Sequence, residues 1–255
     1  MSLALAARAP REARRELVAT WALCVGGIAL AKLASLFEPT GLLAGNIAGV
    51  AAFLFIALPE RKIHGRGERW SDFGLPWWGP ADRRTWRAWA RGLAVAAAVC
   101  AVVFPLFFAV FWGYSRALPY LPQRLASAIA PYGASPAPSF RLPPRFAVTL
   151  AVQVLVVALP EELFYRGWMQ RTWAASAPER RVCVLGASLG AGFVLTQALF
   201  AAGHLVVLQP WRLATFFPGL LFGWVRERTG DLAAPVLVHA LSNVYIAVLE
   251  ASFYG

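Results

Sequence analysis

Apolar residues in this chain come in long unbroken runs, separated by short segments rich in arginine or proline. A helix with one wet face would instead show an apolar stripe recurring every three or four residues. Seven runs predict membrane-crossing helices: Leu17 to Phe37, Leu42 to Leu58, Gly92 to Tyr114, Phe146 to about Trp173, Val182 to Leu208, Leu213 to Arg226 and Leu232 to Leu249. Most approach or exceed the roughly 17 to 25 residues that cross a bilayer as helix. A membrane β-barrel would alternate along segments of about ten residues, and in hydrocarbon every backbone group must be paired internally. The expected fold class is therefore all-α, a polytopic transmembrane helical bundle of about seven spans, with eight as the upper count. Its expected parts are 1–91 (a basic segment, two spans and a basic Trp-rich loop), 92–145 (the third span and a Pro-rich loop) and 146–255 (a core of four spans).

Composition agrees with this pattern. Of 255 residues, 59% are hydrophobic and 15% charged, where soluble domains carry about 25% charged residues. That excludes a water-soluble enzyme. The net charge of +11 would suit nucleic acid, but the arginines lie between apolar runs and form no stripe. No nucleic acid partner is expected. The basic segments are topology signals instead: Arg8, Arg11, Arg14 and Arg15; the loop from Pro59 to Arg91; Arg180 with Arg181; and the turn from Arg226 to Asp231. All fall on one side if the N-terminus is cytoplasmic, in a multi-pass protein of the cell membrane. The first apolar run is too long for a signal h-region of about 7 to 15 residues and reads as a retained anchor. Trp70, Trp77, Trp78, Trp86 and Trp89, with Phe73, punctuate the basic loop, as in a segment lying on anionic lipid headgroups. Cys24, Cys100 and Cys183 are far apart within apolar segments and read as small core residues, without disulfide or zinc-site spacing.

Ionisable residues inside spans are expensive, at least about 2.5 to 3.5 kcal/mol each at a helix centre, so those present are functional candidates. The second half holds three groups: Glu161, Glu162 and Arg166; His204, one turn after Phe200; and His239 with Asn243. Glu162 and Arg166 are four residues apart and share a helix face, while Glu161 points about 100° away. Glu162 is thereby neutralised and Glu161 left free, suited to take a proton from water. His239 and Asn243, also four apart, can converge on one oxygen as oxyanion donors. His204 is a third titratable group able to orient the water. Glu161, His204 and His239 also form an acceptable zinc ligand set, although no HExxH spacing supports it, and metal-free water activation is the preferred reading. No GxSxG elbow surrounds a serine or cysteine nucleophile.

These three motifs, Glu161-Glu162-x-x-x-Arg166, Phe200-x-x-x-His204 and His239-x-x-x-Asn243, resemble in order and spacing those of the CAAX protease and bacteriocin-processing family. Arg228-Thr229-Gly230-Asp231-Leu232 is similar to that family's approach to its third motif. The resemblance covers roughly Val148 to Leu249. It implies an intramembrane glutamic endopeptidase in which Glu161 acts on water with His204, His239 and Asn243 stabilise the oxyanion, and Glu162, Arg166 and Phe200 support the site. No cofactor is implied; the partners are membrane lipids and a membrane-anchored protein or peptide substrate. The Ala- and Arg-rich composition is bacterial in character, a setting where prenylated proteins are not ordinary substrates. The alternatives are a non-catalytic scaffold or peptide-immunity protein of the same fold and, more remotely, a proton-relay transporter.

One conflict in depth must be resolved for the motifs to meet. If the fourth helix stopped at Arg166, Glu161 would lie ~8 Å from the basic side, and His204, counted from Val182, ~33 Å. The remedy predicted from sequence is a fourth helix running through Arg166 to about Trp173, kinked near Pro160, and a fifth span that begins nearer Ser188.

Overall fold

The computed structural model describes residues 10–129, 139–176 and 180–254. Arg8, the middle of the Pro-rich loop and the link at 177–179 lie outside the described residues. Seven principal helices follow the apolar runs: α1 (Pro10–Ala34), α2 (Ile47–His64), α3 (Arg83–Ala117), α4 (Phe146–Ser176), α5 (Ala191–Gly203), α6 (Phe216–Thr229) and α7 (Ala233–Tyr254). Four of them, α1, α3, α4 and α7, are long and apolar enough to cross a bilayer; α2, α5 and α6 are shorter or carry more charge. The chain is an α-helical membrane bundle with one short β-hairpin. Apolar surface faces outward on α3, where Leu93, Val102, Leu106 and Val110 are exposed, as lipid contact requires.

The α4 helix carries most of the chemistry and is not uniform. Two turns are wound as π-helix, Gln153–Ala158 and Leu163–Met169, one on each side of Pro160-Glu161-Glu162. Pro160 lacks an N–H, so the carbonyl one turn back has no intrahelical donor there. Wider turns beside such a break are a common way to re-aim side chains at functional positions.

The fifth span departs from its predicted bounds. Val182–Val184 (β1) and Ala187–Leu189 (β2) pair antiparallel around a tight turn, with Leu185 and Gly186 both at positive φ. The helix begins only at Ala191, because Gly186 and Gly190 break the run that hydropathy alone reads as continuous. Cys183 is exposed on this hairpin, not packed in a core as expected, while Cys24 and Cys100 are buried. With α4 extended to Ser176 and α5 starting at Ala191, Glu161 and His204 lie ~22 Å and ~20 Å along their helices from those ends. The two depths now agree.

The basic segments gather at one end of the bundle. Arg66 at the end of α2 pairs with Glu16 of α1 at 2.6 Å, Arg91 of α3 with Asp231 before α7 at 2.5 Å, and Arg14 lies over the Trp173 ring of α4 at 5.8 Å. At the other end, backbone near Arg141 hydrogen-bonds Ser252 late in α7. The Trp-rich loop is only partly interfacial. Trp77, Trp78 and Trp86 are exposed, but Phe73 is fully buried, and the carbonyl of Gly74 accepts from Leu232 N at 2.9 Å. A residue expected on headgroups is thus a strut between α4 and the start of α7.

α3 and α7 approach closely at Gly92. A Cβ there would lie 2.6 Å from Ala233 Cβ and 2.9 Å from the backbone of Ala233 and Ala234. Gly92→Ala should lower stability by about 1–3 kcal/mol through overpacking. Gly26→Ala meets nothing within 4 Å and should be neutral or slightly stabilising. The thermal midpoints of the two purified variants decide this, and equal midpoints would refute the close approach.

Candidate active site

Glu162 and Arg166 on α4 are fully buried, and Arg166 Nη1 donates to Glu162 Oε1 at 2.8 Å. The predicted helix through Arg166 is present, and the guanidinium is neutralised one turn away. The same carboxylate oxygen accepts from His239 Nδ1 on α7 at 2.9 Å. An ionised carboxylate only accepts, so this contact places a proton on Nδ1 and points Nε2 away from Glu162. Phe222 of α6 stacks on the His239 ring at 4.6 Å between centroids and fixes its plane.

Nε2 of His239 faces Glu161, 3.8 Å from Oε2. That gap is too long for a direct hydrogen bond. Glu161 Oε2 is buried and has no hydrogen-bond partner among the described residues. The neighbouring carboxylates therefore differ as the helix geometry requires: Glu162 is held by a guanidinium and an imidazole, while Glu161 is turned toward the site.

His204 caps the C-terminus of α5, its Nδ1 2.8 Å from the carbonyl of Phe200, and its ring packs edge-on to Phe200 at 4.7 Å. Phe200 also contacts the His239 ring edge-on at 6.1 Å and the Arg166 guanidinium at 4.2 Å. One buried aromatic ring thus separates the two imidazoles and covers the cation. The imidazole beside Glu161 is that of His239; His204 reaches the group through Phe200. Asn243 donates to Gln153 Oε1 on α4 at 2.9 Å, so in this state its amide is directed by α4 and does not share an acceptor with His239. Among the described residues no three His, Cys, Asp or Glu side chains gather closely enough to hold a metal ion, Glu161, His204 and His239 included.

Behind the ion pair runs a buried amide chain that the motif reading missed. Arg166 Nη2 donates to Gln197 Oε1 at 2.9 Å and to the carbonyl of Gly219 at 3.2 Å. Gln197 Nε2 donates to Gln170 Oε1 at 3.0 Å, and Gln170 Nε2 to Glu227 Oε1 at 2.8 Å. Each link points the same way, from amide or guanidinium donor to the next acceptor, ending on a carboxylate. Gly223 makes room for it, since a Cβ there would lie 2.6 Å from Gln197 Nε2. The available signal was polarity: Gln153, Gln170 and Gln197 interrupt apolar runs just as the ionisable residues do, but uncharged amides carry a weaker flag.

Residues 143–245 match the family model described as Rce1-like, type II CAAX prenyl endopeptidase. No curated protein and no solved structure matches the chain.

Proposed function

The chain belongs to the Rce1-like CAAX endopeptidase family through residues 143–245, and from that premise we propose that it hydrolyses a peptide bond in a membrane-anchored protein or peptide, with Glu161 as general base. The observation that carries this reading is the buried, partnerless Oε2 of Glu161 facing an imidazole whose other nitrogen is fixed by Glu162. In the proposed step Glu161 takes a proton from water as the oxygen attacks the scissile carbonyl carbon. The proton passes to the departing amine as the C–N bond breaks, which restores the carboxylate.

The oxyanion is met by His239 Nε2 and Asn243. To donate from Nε2 as well as Nδ1, His239 must hold two protons, and the two carboxylates Glu161 and Glu162 together then match the charges of His239 and Arg166. Asn243 offers its amide after exchanging Gln153 for substrate. His204, with Nδ1 on the Phe200 carbonyl, packs on the Phe200 ring and positions it against His239. Glu162 and Arg166 hold the arrangement and do not touch the reacting atoms.

The test is turnover of a library of membrane-anchored peptides by the purified full chain before and after exhaustive chelation, with elemental analysis of the same sample. The expected result is cleavage that survives metal removal. A stoichiometric zinc requirement would replace the metal-free step. Absence of cleavage across the library, with folded protein, would favour a non-catalytic scaffold of the same fold.

A further inference from the structure

At the basic end of the bundle a cavity of about 450 Å³ opens between the last turns of α4 and α6, away from the water-activating groups. Among the described residues its wall carries Arg166, Arg171, Arg181 and Arg226 and one carboxylate, Glu227. Glu227 is already engaged, accepting from Gln170 Nε2 at 2.8 Å on one oxygen and from Arg181 Nη2 at 3.0 Å on the other. Arg226 is 7% exposed; its Nη2 donates to the Phe73 carbonyl at 3.2 Å, and its Nε is buried without a partner. Arg171 Nε is likewise buried and partnerless. Among the described residues neither Arg171 nor Arg226 makes an ion pair.

Two guanidiniums beside one another, Arg226 buried and Arg171 half-buried, each with a buried Nε that has no partner and with the neighbouring Glu227 already engaged by Gln170 and Arg181, are an unfavourable arrangement in isolation. A ligand with several acceptor oxygens removes the penalty, because each guanidinium is a flat fork of donors matched to phosphate or carboxylate. The location narrows the choice. The cavity is lined by Arg181 and by Ala174 and Ala175 at the end of α4, next in the chain to Trp173 under Arg14, the arginine and tryptophan signature of headgroup level. We propose that this cavity is a binding site for a phosphate group, carried by an anionic lipid headgroup or by a soluble phosphate, held by Arg171 and Arg226 with Arg181 at its edge. It is separate from peptide hydrolysis and stands whether or not Glu161 is the base.

The experiment uses the purified full chain in neutral detergent with two probes. Native mass spectrometry reads retention of phosphatidic acid against phosphatidylcholine, and thermal shift reads the response to inorganic phosphate. Phosphatidic acid retained without a phosphate response assigns the headgroup; a phosphate response that competes with the lipid assigns the phosphate group itself. Either supports the site. Arg171→Gln and the double variant with Arg226→Gln should weaken binding by roughly tenfold or more, the scale of a charge-assisted hydrogen bond. Arg87→Gln, which removes the same charge from an exposed position at the same end, should not. Because Arg226 also braces Phe73, the half-buried Arg171 is the deciding position. Equal binding by Arg171→Gln and the unaltered chain, or no binding of either probe, would overturn the proposal.

Discussion

Glu161→Gln is expected to lower turnover on a membrane-anchored peptide by roughly 10² to 10⁴, the range associated with loss of a general base. The amide has the carboxylate's shape but cannot take the water's proton. Little else should change. Glu161 receives no hydrogen bond on Oε2, and its nearest charged contact is His239 Nε2 at 3.8 Å, so folding draws little from it. The thermal midpoint of Glu161→Gln should stay close to that of the parent while kcat falls and substrate binding holds. Near-normal turnover would sink the assignment of Glu161. A midpoint drop matching the activity loss would recast it as a structural residue.

The adjacent carboxylates explain why the candidate site was legible in sequence at the level of motifs. A four-residue spacing on a helix dictates that Glu162 meets Arg166 and that Glu161 turns away, and this survives even though the helix widens into π turns around them. The need for a common depth also required α4 to run through Arg166 and α5 to start late, and both are present. What hydropathy could not supply was the hairpin at 182–189. Val182, Val184 and Leu189 are as apolar in a strand as in a helix, and only the tight turn at Gly186 separates the cases. Partner choice within the site was equally hidden. His239, Asn243 and His204 were all reachable in principle, but whether an imidazole meets Glu162, Glu161 or a carbonyl depends on the rotation of α7 against α4. Packing of Phe222 and Phe200 sets that rotation, and it leaves no periodic mark in the sequence. Phe73 was misplaced for a related reason: an aromatic residue in a basic loop looks interfacial until the loop is seen to fold under α7.

Arg166→Ala should be the most destabilising single change in the protein, at about 3–5 kcal/mol, because it strands a carboxylate that has no route to water. Glu162 is 0% exposed and would retain only the His239 contact, while Gln197 Oε1 and the Gly219 carbonyl would each lose the donor they share. Glu162→Gln strands the guanidinium instead. It should cost a similar amount and also lower kcat, since His239 loses the carboxylate that sets its proton and orientation. The two losses arise from one interaction, so they should not add. The double variant Glu162→Gln/Arg166→Ala removes both charges and should be clearly more stable than the sum of the singles predicts, by about 1–3 kcal/mol of coupling. Its activity should stay low, because stability returns with charge balance while the imidazole stays unanchored. A denaturant titration of the three variants in one detergent measures the cycle. Strictly additive losses, or a neutral Arg166→Ala, would show that the buried pair does not hold α4, α6 and α7 in register as described.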